Sequence, residues 1–334
     1  MTIEVIKPGA LSTIQDLGRV GYQRFGVVVG GVMDQWSHRL ANLMVRNVEQ
    51  EATLEITLLG PSLRFRQTAL IAICGADLSP RIGGHALPVG RPLLVRSGSQ
   101  IDFGRRVSGT RAYLAVHGGF AVAPVMHSKS TYVRGAFGGL DGRALRKGDE
   151  IGIGGSNGQA CFPQLARALF ESDHPFATLP DALLAPVSNE APQSVRVIAG
   201  QQWQAFTEEA RAQFLAAEFR IGVQSERMGY RLEGPQLALQ APLEMISEAV
   251  CFGTIQVPPD GNPIILMADR QSTGGYPKIA SVASVDLPLL AQMMPHQTVR
   301  FALVTLDQAQ QLYLAREQDI ERMRERITQL NKET

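Results

Sequence analysis

At 334 residues, with 45% apolar and 19% charged side chains, the chain can bury one large core or two medium ones. Its 32 basic and 31 acidic residues leave a formal charge of +1, so electrostatics gives no reason to expect nucleic acid or an anionic membrane as partner. Cys74, Cys161 and Cys251 are odd in number and far apart, and they read as reduced thiols of a cytoplasmic protein, with Cys74 and Cys251 as small strand residues.

The opening MTIEVIKPGALSTIQD lacks a basic segment ahead of an apolar one, so no signal peptide is expected. No window approaches about 18 uncharged apolar residues, so no membrane helix is expected either. Short β-like runs closed by Gly or Pro then follow: LEITLLG, SLRF, ALIAICG, PLLVRSG, QIDFG, RAYLAVHGG and EIGIGG, and later VRVIAG, PIILMA, IASVASV and VRFALV. Short strands between dense turn residues predict a mainly β fold with a few helices, a sandwich or barrel rather than βαβ units.

Three helices are expected. Asp34 is a good N-cap for QWSHRLANLMVRN, where Trp36, Leu40, Leu43 and Met44 share one face. The second is WQAFTEEARAQFLAAEF, near 203–219. The third follows Thr305, which forms a capping box with Gln308, and continues through Ile320, Met323, Ile327 and Leu330. The stretch SDHPFATLPDALLAPVSNEAPQS (172–194) has four prolines and no Lys or Arg, the composition of a linker or surface excursion. The expected organisation is a β-module over 1–171 with an inserted helix, a linker over 172–194, a second β-module over 195–305 and a terminal helix over 306–334. Matching segments in the two halves, such as Arg19–Tyr22 with Arg227–Tyr230, suggest that the modules are related.

Several chemistries lack their motif. There is no phosphate-binding GxxxxGK[ST], GDEIGIGGSNG has Asn157 where a dinucleotide motif needs its third glycine, and no GxSxG elbow is present. The six histidines show no HxxxH or HxH spacing, so no metal site is expected.

The candidate sites are polar clusters at turns. Asp16 and Arg19 could orient a polar ligand or pin a glycine-rich turn as an ion pair. Ser128, Ser130, Thr131 and Tyr132 concentrate hydroxyls beside Lys129 and Arg134, suited to a carboxylate, carboxamide or phosphate, or to bonding their own backbone. Glu248 is a candidate general base, or one half of a salt bridge. The stretch DRQSTGGYPK interrupts two apolar runs with Asp269, Gln271, Ser272, Thr273, Gly274, Gly275, Tyr276 and Lys278. A plain hairpin needs the glycines but has no use for the other polar groups. The glycine pair would permit close backbone approach or positive φ. Asp269, Glu248 and Lys278 are the candidate catalytic residues, and the remainder would bind substrate.

QDLGRVGYQRFG, MDQWSHRLAN, ATLEITLLGPSLRF, GTRAYLAVHGGF, SKSTYVRGAFGGLDGRALRKGD, SERMGYRL and GTIQVPPDGNPIILMADRQSTGGYPKIASV occur in order over nearly the whole chain. Together they resemble the biotin-dependent carboxyltransferase family in its allophanate hydrolase subunit 2 branch. The resemblance implies two cyclophilin-like β-barrel modules. It implies the C subunit of an ATP-dependent 5-oxoprolinase, an amidohydrolase that opens 5-oxoproline to glutamate with its A and B subunits and is not expected to turn over alone. ATP would be used by the complex. Two alternatives remain open: a split carboxyltransferase subunit acting on urea or an amide with biotin, and a non-catalytic antagonist that binds a B-like histidine-kinase inhibitor. The chain departs from the family at His127 and His296, where glycine is usual. His127 would narrow a pocket, carry protons, or be a tolerated surface change.

Overall fold

The computed structural model describes residues 2–155, 162–179 and 193–332. The described chain groups into two compact units. The first comprises Met1–Gly18, Asp34–Asn189 and Asp319–Thr334, and the second Arg19–Met33 and Glu190–Gln318. No described helix is long and apolar enough to cross a membrane.

The first unit is built on two six-stranded sheets. One contains β1 (Thr2–Lys7), β4 (Ser62–Phe65), β6 (Arg81–Ile82), β7 (His85–Ala86), β9 (Gln100–Asp102) and β11 (Glu150–Gly152), in the order β11-β1-β4-β9-β6-β7. The other contains β2 (Leu11–Gln15), β3 (Thr53–Thr57), β5 (Ala69–Asp77), β8 (Pro92–Val95), β10 (Ser108–Val116) and β12 (Phe176–Thr178), in the order β12-β8-β5-β10-β3-β2. In β1, Ile3 and Val5 are buried and alternate with partly exposed residues, as expected of a strand with one face on a core. β5 and β10 are buried almost throughout, which explains their continuous apolar runs. One face of each joins the core of Ile3, Phe65, Ile71, Ile73 and Leu114, and α1 (Gln35–Met44) packs on the same two strands. Cys74 on β5 places its Sγ 3.7 Å from Met44 Sδ of α1.

Asp34 caps α1 as its sequence predicts, accepting the Ser37 amide at 2.9 Å. Leu40, Leu43 and Met44 are buried. α2 (Pro163–Phe170), which the sequence reading missed, starts with Pro163 in the first turn and buries Leu165 and Leu169. Its eight residues give too few turns for a periodic signal. Within the stretch read as linker, Phe176–Thr178 is β12 and pairs with β8, and Gln193–Ser194 opens β13, whereas 180–192 lie outside the described residues.

The second unit contains a closed barrel. Its strands are β13 (Gln193–Ala199), β14 (Phe219–Ile221), β15 (Gly229–Glu233), β17 (Thr254–Gln256), β18 (Ile264–Leu266), β20 (Lys278–Val282) and β21 (Thr298–Leu303). Neighbours run β13-β20-β17-β18-β15-β14-β21, and the parallel pairing of β13 with β21 closes the ring. Beside it lies a two-stranded ribbon of β16 (Glu248–Ala249) and β19 (Thr273–Gly274). The helix expected near 203–219 is instead a 3-10 turn, Trp203–Ala205, followed by α3 (Glu208–Ala216). Thr207 accepts the Ala210 amide at 3.1 Å and so starts a new helix, while Phe219 leaves it to enter the barrel core in β14. Phe214 of α3 stacks on Phe301 of β21 with ring centroids 4.6 Å apart. IASVASV divides in the same manner, β20 giving way to a 3-10 turn at Ser284–Asp286 and then to α4 (Leu287–Ala291).

α5 (Leu306–Leu330) opens with the predicted capping box. Gln308 Oε1 accepts the Thr305 amide at 2.9 Å, and Thr305 Oγ1 accepts the Gln308 amide at 3.2 Å. Ile320 and Ile327 of the expected seam are buried. In the first unit the end of α5 is tied down by Arg324 to Glu49, and by the Phe162 amide donating to Asn331 Oδ1 at 2.6 Å.

Candidate functional site

The residues singled out above fall into two groups, one in each unit. In the first unit Asp16 is the acceptor at the centre of the SKST loop. Its Oδ1 receives the hydroxyls of Ser128 at 2.7 Å and Ser130 at 2.6 Å, together with the Gly18 amide at 2.8 Å. Its Oδ2 receives the Lys129 amide at 2.6 Å. Thr131 donates its hydroxyl to the Ile14 carbonyl at 2.9 Å, and Tyr132 packs edge-on against Phe137. Ser128, Ser130 and Thr131 are buried. Lys129 is also held, by Glu51 at 2.5 Å and the Phe120 carbonyl at 3.1 Å. This density of hydroxyls therefore serves one buried carboxylate and the backbone, and the geometry is that of a pinned loop.

His127 sits at the entry to this loop in a tight turn. Met126 has φ 51° and His127 φ 59°, and Val125 and Ser128 exchange both backbone hydrogen bonds. Both central residues are left-handed, the geometry in which glycine is favoured. His296 has φ 72°. The two departures from the family's glycines thus fall where the backbone itself favours glycine.

Deeper in the same unit lies a buried polar network that the sequence reading did not pick out. The His38 ring is 2.9 Å from Thr53 Oγ1 and 3.0 Å from the Glu49 carbonyl oxygen. Burial pulls its pKa down to about 4, against the opposing pull of Asp16 and Glu55. Tyr113 donates to Glu55 Oε2 at 2.8 Å and accepts the Asp34 amide at 2.8 Å. Burial, then the Glu55 charge, push its phenol well above the ordinary range. Burial also raises the Cys74 thiol, so it stays protonated and unreactive. Cys251, read as a strand residue, is instead exposed and outside any strand, and Cys161 lies outside the described residues.

The second unit holds the other group. β16 and β19 pair Glu248 with Gly274 and Ala249 with Thr273, which places Glu248 beside the QSTGG segment. Lys278, at the start of β20, is buried and forms an ion pair with Glu248, whose side chain is 46% exposed. Gln201 Oε1 lies 3.3 Å from Lys278 Nζ, and Gln202 Oε1 accepts the Lys278 amide at 3.1 Å. The ammonium is thus fixed on the protein side, while its carboxylate partner opens to solvent. Gln271, Thr273 and Tyr276 are exposed and Ser272 is half-buried.

Neither glycine of the pair has positive φ. Gly274 is needed for close approach instead: a Cβ there would collide with Gln256 Nε2, which donates to the Tyr276 carbonyl at 3.3 Å. Asp269 is buried and gripped by Arg227, Nε to Oδ2 at 2.8 Å and Nη2 to Oδ1 at 2.9 Å. Arg227 also donates to the Gly31 carbonyl at 2.5 Å. Arg19 is buried too, and a Cβ on Gly30 would lie 3.4 Å from its Nη1 and 3.6 Å from Asp269 Oδ1. Asp269 therefore anchors the head of the loop through Arg227, whereas Lys278 and Glu248 form its ion-paired end. Arg270 lies over the Phe252 ring at 5.7 Å, and burial lowers its pKa. Gln201, Gln202 and Gln256 escaped the sequence reading because they sit in or just after strand-like runs, with no motif around them.

Chemically, the pair combines a buried cationic donor, Lys278, with an acceptor, Glu248, that solvent or a ligand can reach.

A family model described as "Carboxyltransferase domain, subdomain A and B" matches residues 25–303. The C subunit of 5-oxoprolinase from Haemophilus influenzae is 34% identical, over 98% of this chain and 100% of its own length. Its counterpart from Escherichia coli is 33% identical, over 92% of this chain and 93% of its own. The crystal structure of the K. lactis urea amidolyase matches 96% of this chain at 31% identity and a TM-score of 0.85, and the chain spans 20% of that protein.

Proposed function

As the chain belongs to the family of carboxyltransferase domains, subdomains A and B, we propose that it works as the C subunit of an ATP-dependent 5-oxoprolinase, together with A and B subunits. The observation that carries this reading is the end-to-end match to two proteins that bear the name of the 5-oxoprolinase C subunit. The geometry of the second unit supports it. An unstrained lactam is a poor electrophile and water a poor nucleophile, so ring opening needs positive charge at the carbonyl oxygen and a group that handles a proton. Lys278 is the first of these, held in place by Gln201 and Gln202, and Glu248 is the second. Gln271, Thr273 and the half-buried Ser272 would bind the planar amide and the carboxylate of the substrate.

Gly274 ends β19, Gly275 lies between it and β20, and neither opens a helix, so they offer no helix N-terminus to cradle phosphates. No step is routed through ATP in this chain. The test is reconstitution from purified A, B and C proteins. Omission of this chain abolishes ATP-dependent glutamate release from 5-oxoproline, and an unchanged rate without it refutes the assignment.

A second reading has its own support, the likeness at a TM-score of 0.85 to a urea amidolyase and to a urea carboxylase from K. lactis. Under it the same loop would hold the ureido group of biotin and the amide of urea, which share the planar N–C=O of a lactam. The chain is 34% identical to the H. influenzae protein and 30% identical to the Saccharomyces cerevisiae urea amidolyase, which favours the first reading.

A further inference from the structure

Arg270 follows Asp269 in the chain and is half-buried, yet among the described residues it has no carboxylate partner. Its Nε lies 3.5 Å from the Val250 carbonyl oxygen, and its Nη1 lies 3.4 Å and 3.5 Å from those of Met267 and Ala268. All three contacts are longer than an ordinary N–H···O bond, and Nη2 meets no acceptor among the described residues. The Phe252 ring, 5.7 Å from the guanidinium carbon, supports the group without taking one of its hydrogen bonds.

The carboxylates around it are already taken. Asp269 gives both oxygens to Arg227, at 2.8 Å and 2.9 Å, and Glu248 is paired with Lys278. Arginines with a structural task in this unit look different: Arg227 on Asp269 and Arg196 on Asp286 each use two nitrogens on one carboxylate. Arg270 therefore adds an uncompensated positive charge to a loop whose other charges cancel in pairs. Burial opposes that charge and lowers its pKa, so a bound anion would relieve a cost the fold now carries. Its place matters too. The Val250 amide donates to the Ser272 carbonyl at 3.2 Å, which extends the β16–β19 ribbon by one rung beyond Ala249 and Thr273. Val250, which Arg270 reaches, and Glu248, which pairs with Lys278, are two steps apart along the chain, about 7 Å in a strand. The two cations thus serve one short ribbon, at a spacing that a small molecule can bridge.

We propose that Arg270 binds the carboxylate of the substrate and so sets a preference for an acidic lactam over a neutral one, while Lys278 takes the lactam carbonyl. The proposal rests on the functional reading above. A carboxylate is the group that matches a guanidinium, because its two oxygens accept from the planar fork of N–H donors and its charge is the one the loop lacks. Gln271, Ser272 and Thr273 lie between the two cations in the chain, where they would take the ring amide.

The test uses the assembled A, B and C proteins, with Arg270→Gln and Arg270→Lys made in the full chain. KM and kcat are measured for 5-oxoproline, and 5-oxoprolinamide, the neutral carboxamide of the same ring, serves as competitor. Arg270→Gln should raise KM for 5-oxoproline about ten- to hundredfold, the loss of charge-assisted hydrogen bonds, while kcat falls less than about threefold. Wild type should bind the acid more tightly than the amide, a discrimination that vanishes in Arg270→Gln and persists in part in Arg270→Lys. An arginine that only held the loop together would weaken acid and amide alike, or lower kcat instead. Where Arg270→Gln does not assemble, Arg270→Lys must still raise KM and narrow the discrimination. If KM stays at the wild-type value, or the discrimination is absent in wild type or survives in both variants, the proposal falls and the functional reading stands. If the wild-type complex releases no glutamate, both fall.

Discussion

Replacing His38 by Gln removes one buried titration while keeping a donor and an acceptor for Thr53 and the Glu49 carbonyl. In the folded chain this imidazole resists protonation down to about pH 4, against an ordinary value of 6.5, because burial penalises its charged form. Between those values the unfolded chain binds a proton that the native chain refuses, so stability must rise with pH across that window. The penalty is absent above 6.5 and grows as pH falls towards 4. At about 1.4 kcal/mol per pH unit, it reaches about 2 kcal/mol at pH 5 and about 3 kcal/mol at pH 4. The two tryptophans fall in different units, Trp36 in the first and Trp203 in the second, so a Trp203→Phe background lets fluorescence report on the unit that holds His38. Urea unfolding at pH 7.5 and pH 5 is then compared for the chain with and without His38→Gln. The chain that keeps His38 should lose about 2 kcal/mol more on acidification than the variant. Equal losses would show that His38 is not held neutral by burial, since other carboxylates cancel in the comparison.

Lys278→Ala should lower turnover of the reconstituted complex about a hundredfold, and Thr273→Ala less, with the B–C complex intact on gel filtration; normal turnover in both removes this loop from the site. Asp16→Ala orphans two buried hydroxyls and two amides and should cost about 3 kcal/mol or more in thermal or urea unfolding, a cost that Ser130→Ala shows in part. His127→Gly should leave stability to thermal unfolding unchanged or raise it by up to about 1 kcal/mol, because a left-handed turn favours glycine, whereas His127→Val should lower it. Thr305→Ala should lose about 1 kcal/mol of helix capping, read as faster amide exchange in the first turn of α5.

Local signals in the sequence carried far. Asp34 and the Thr305–Gln308 pair cap helices in the structure because capping depends on side chains within one turn of the backbone they serve. The strand runs were legible for the same reason, alternation in β1 and continuous apolarity in β5 and β10. Long-range partnership was not legible. Nothing near Ser128 or Ser130 shows that their hydroxyls turn towards a carboxylate more than a hundred residues earlier. Nothing near Asp269 shows that Arg227 takes both its oxygens. The Arg19–Tyr22 segment shows the same limit, since it falls in the second unit together with Arg227–Tyr230, the segment it matches. Polar residues with no visible use in their own neighbourhood thus divide, once folded, into buried groups such as Asp16, Asp269 and Lys278 and presented ones such as Glu248 and Thr273.

On the proposed reading this chain serves lactam opening rather than carboxyl transfer. One assay separates the two: the assembled A, B and C proteins are offered 5-oxoproline with ATP and, in parallel, urea with a carboxybiotin-loaded carrier. The expected outcome is glutamate release that needs this chain and Lys278, with no carboxylated urea. Carboxylated urea without glutamate release would contradict it.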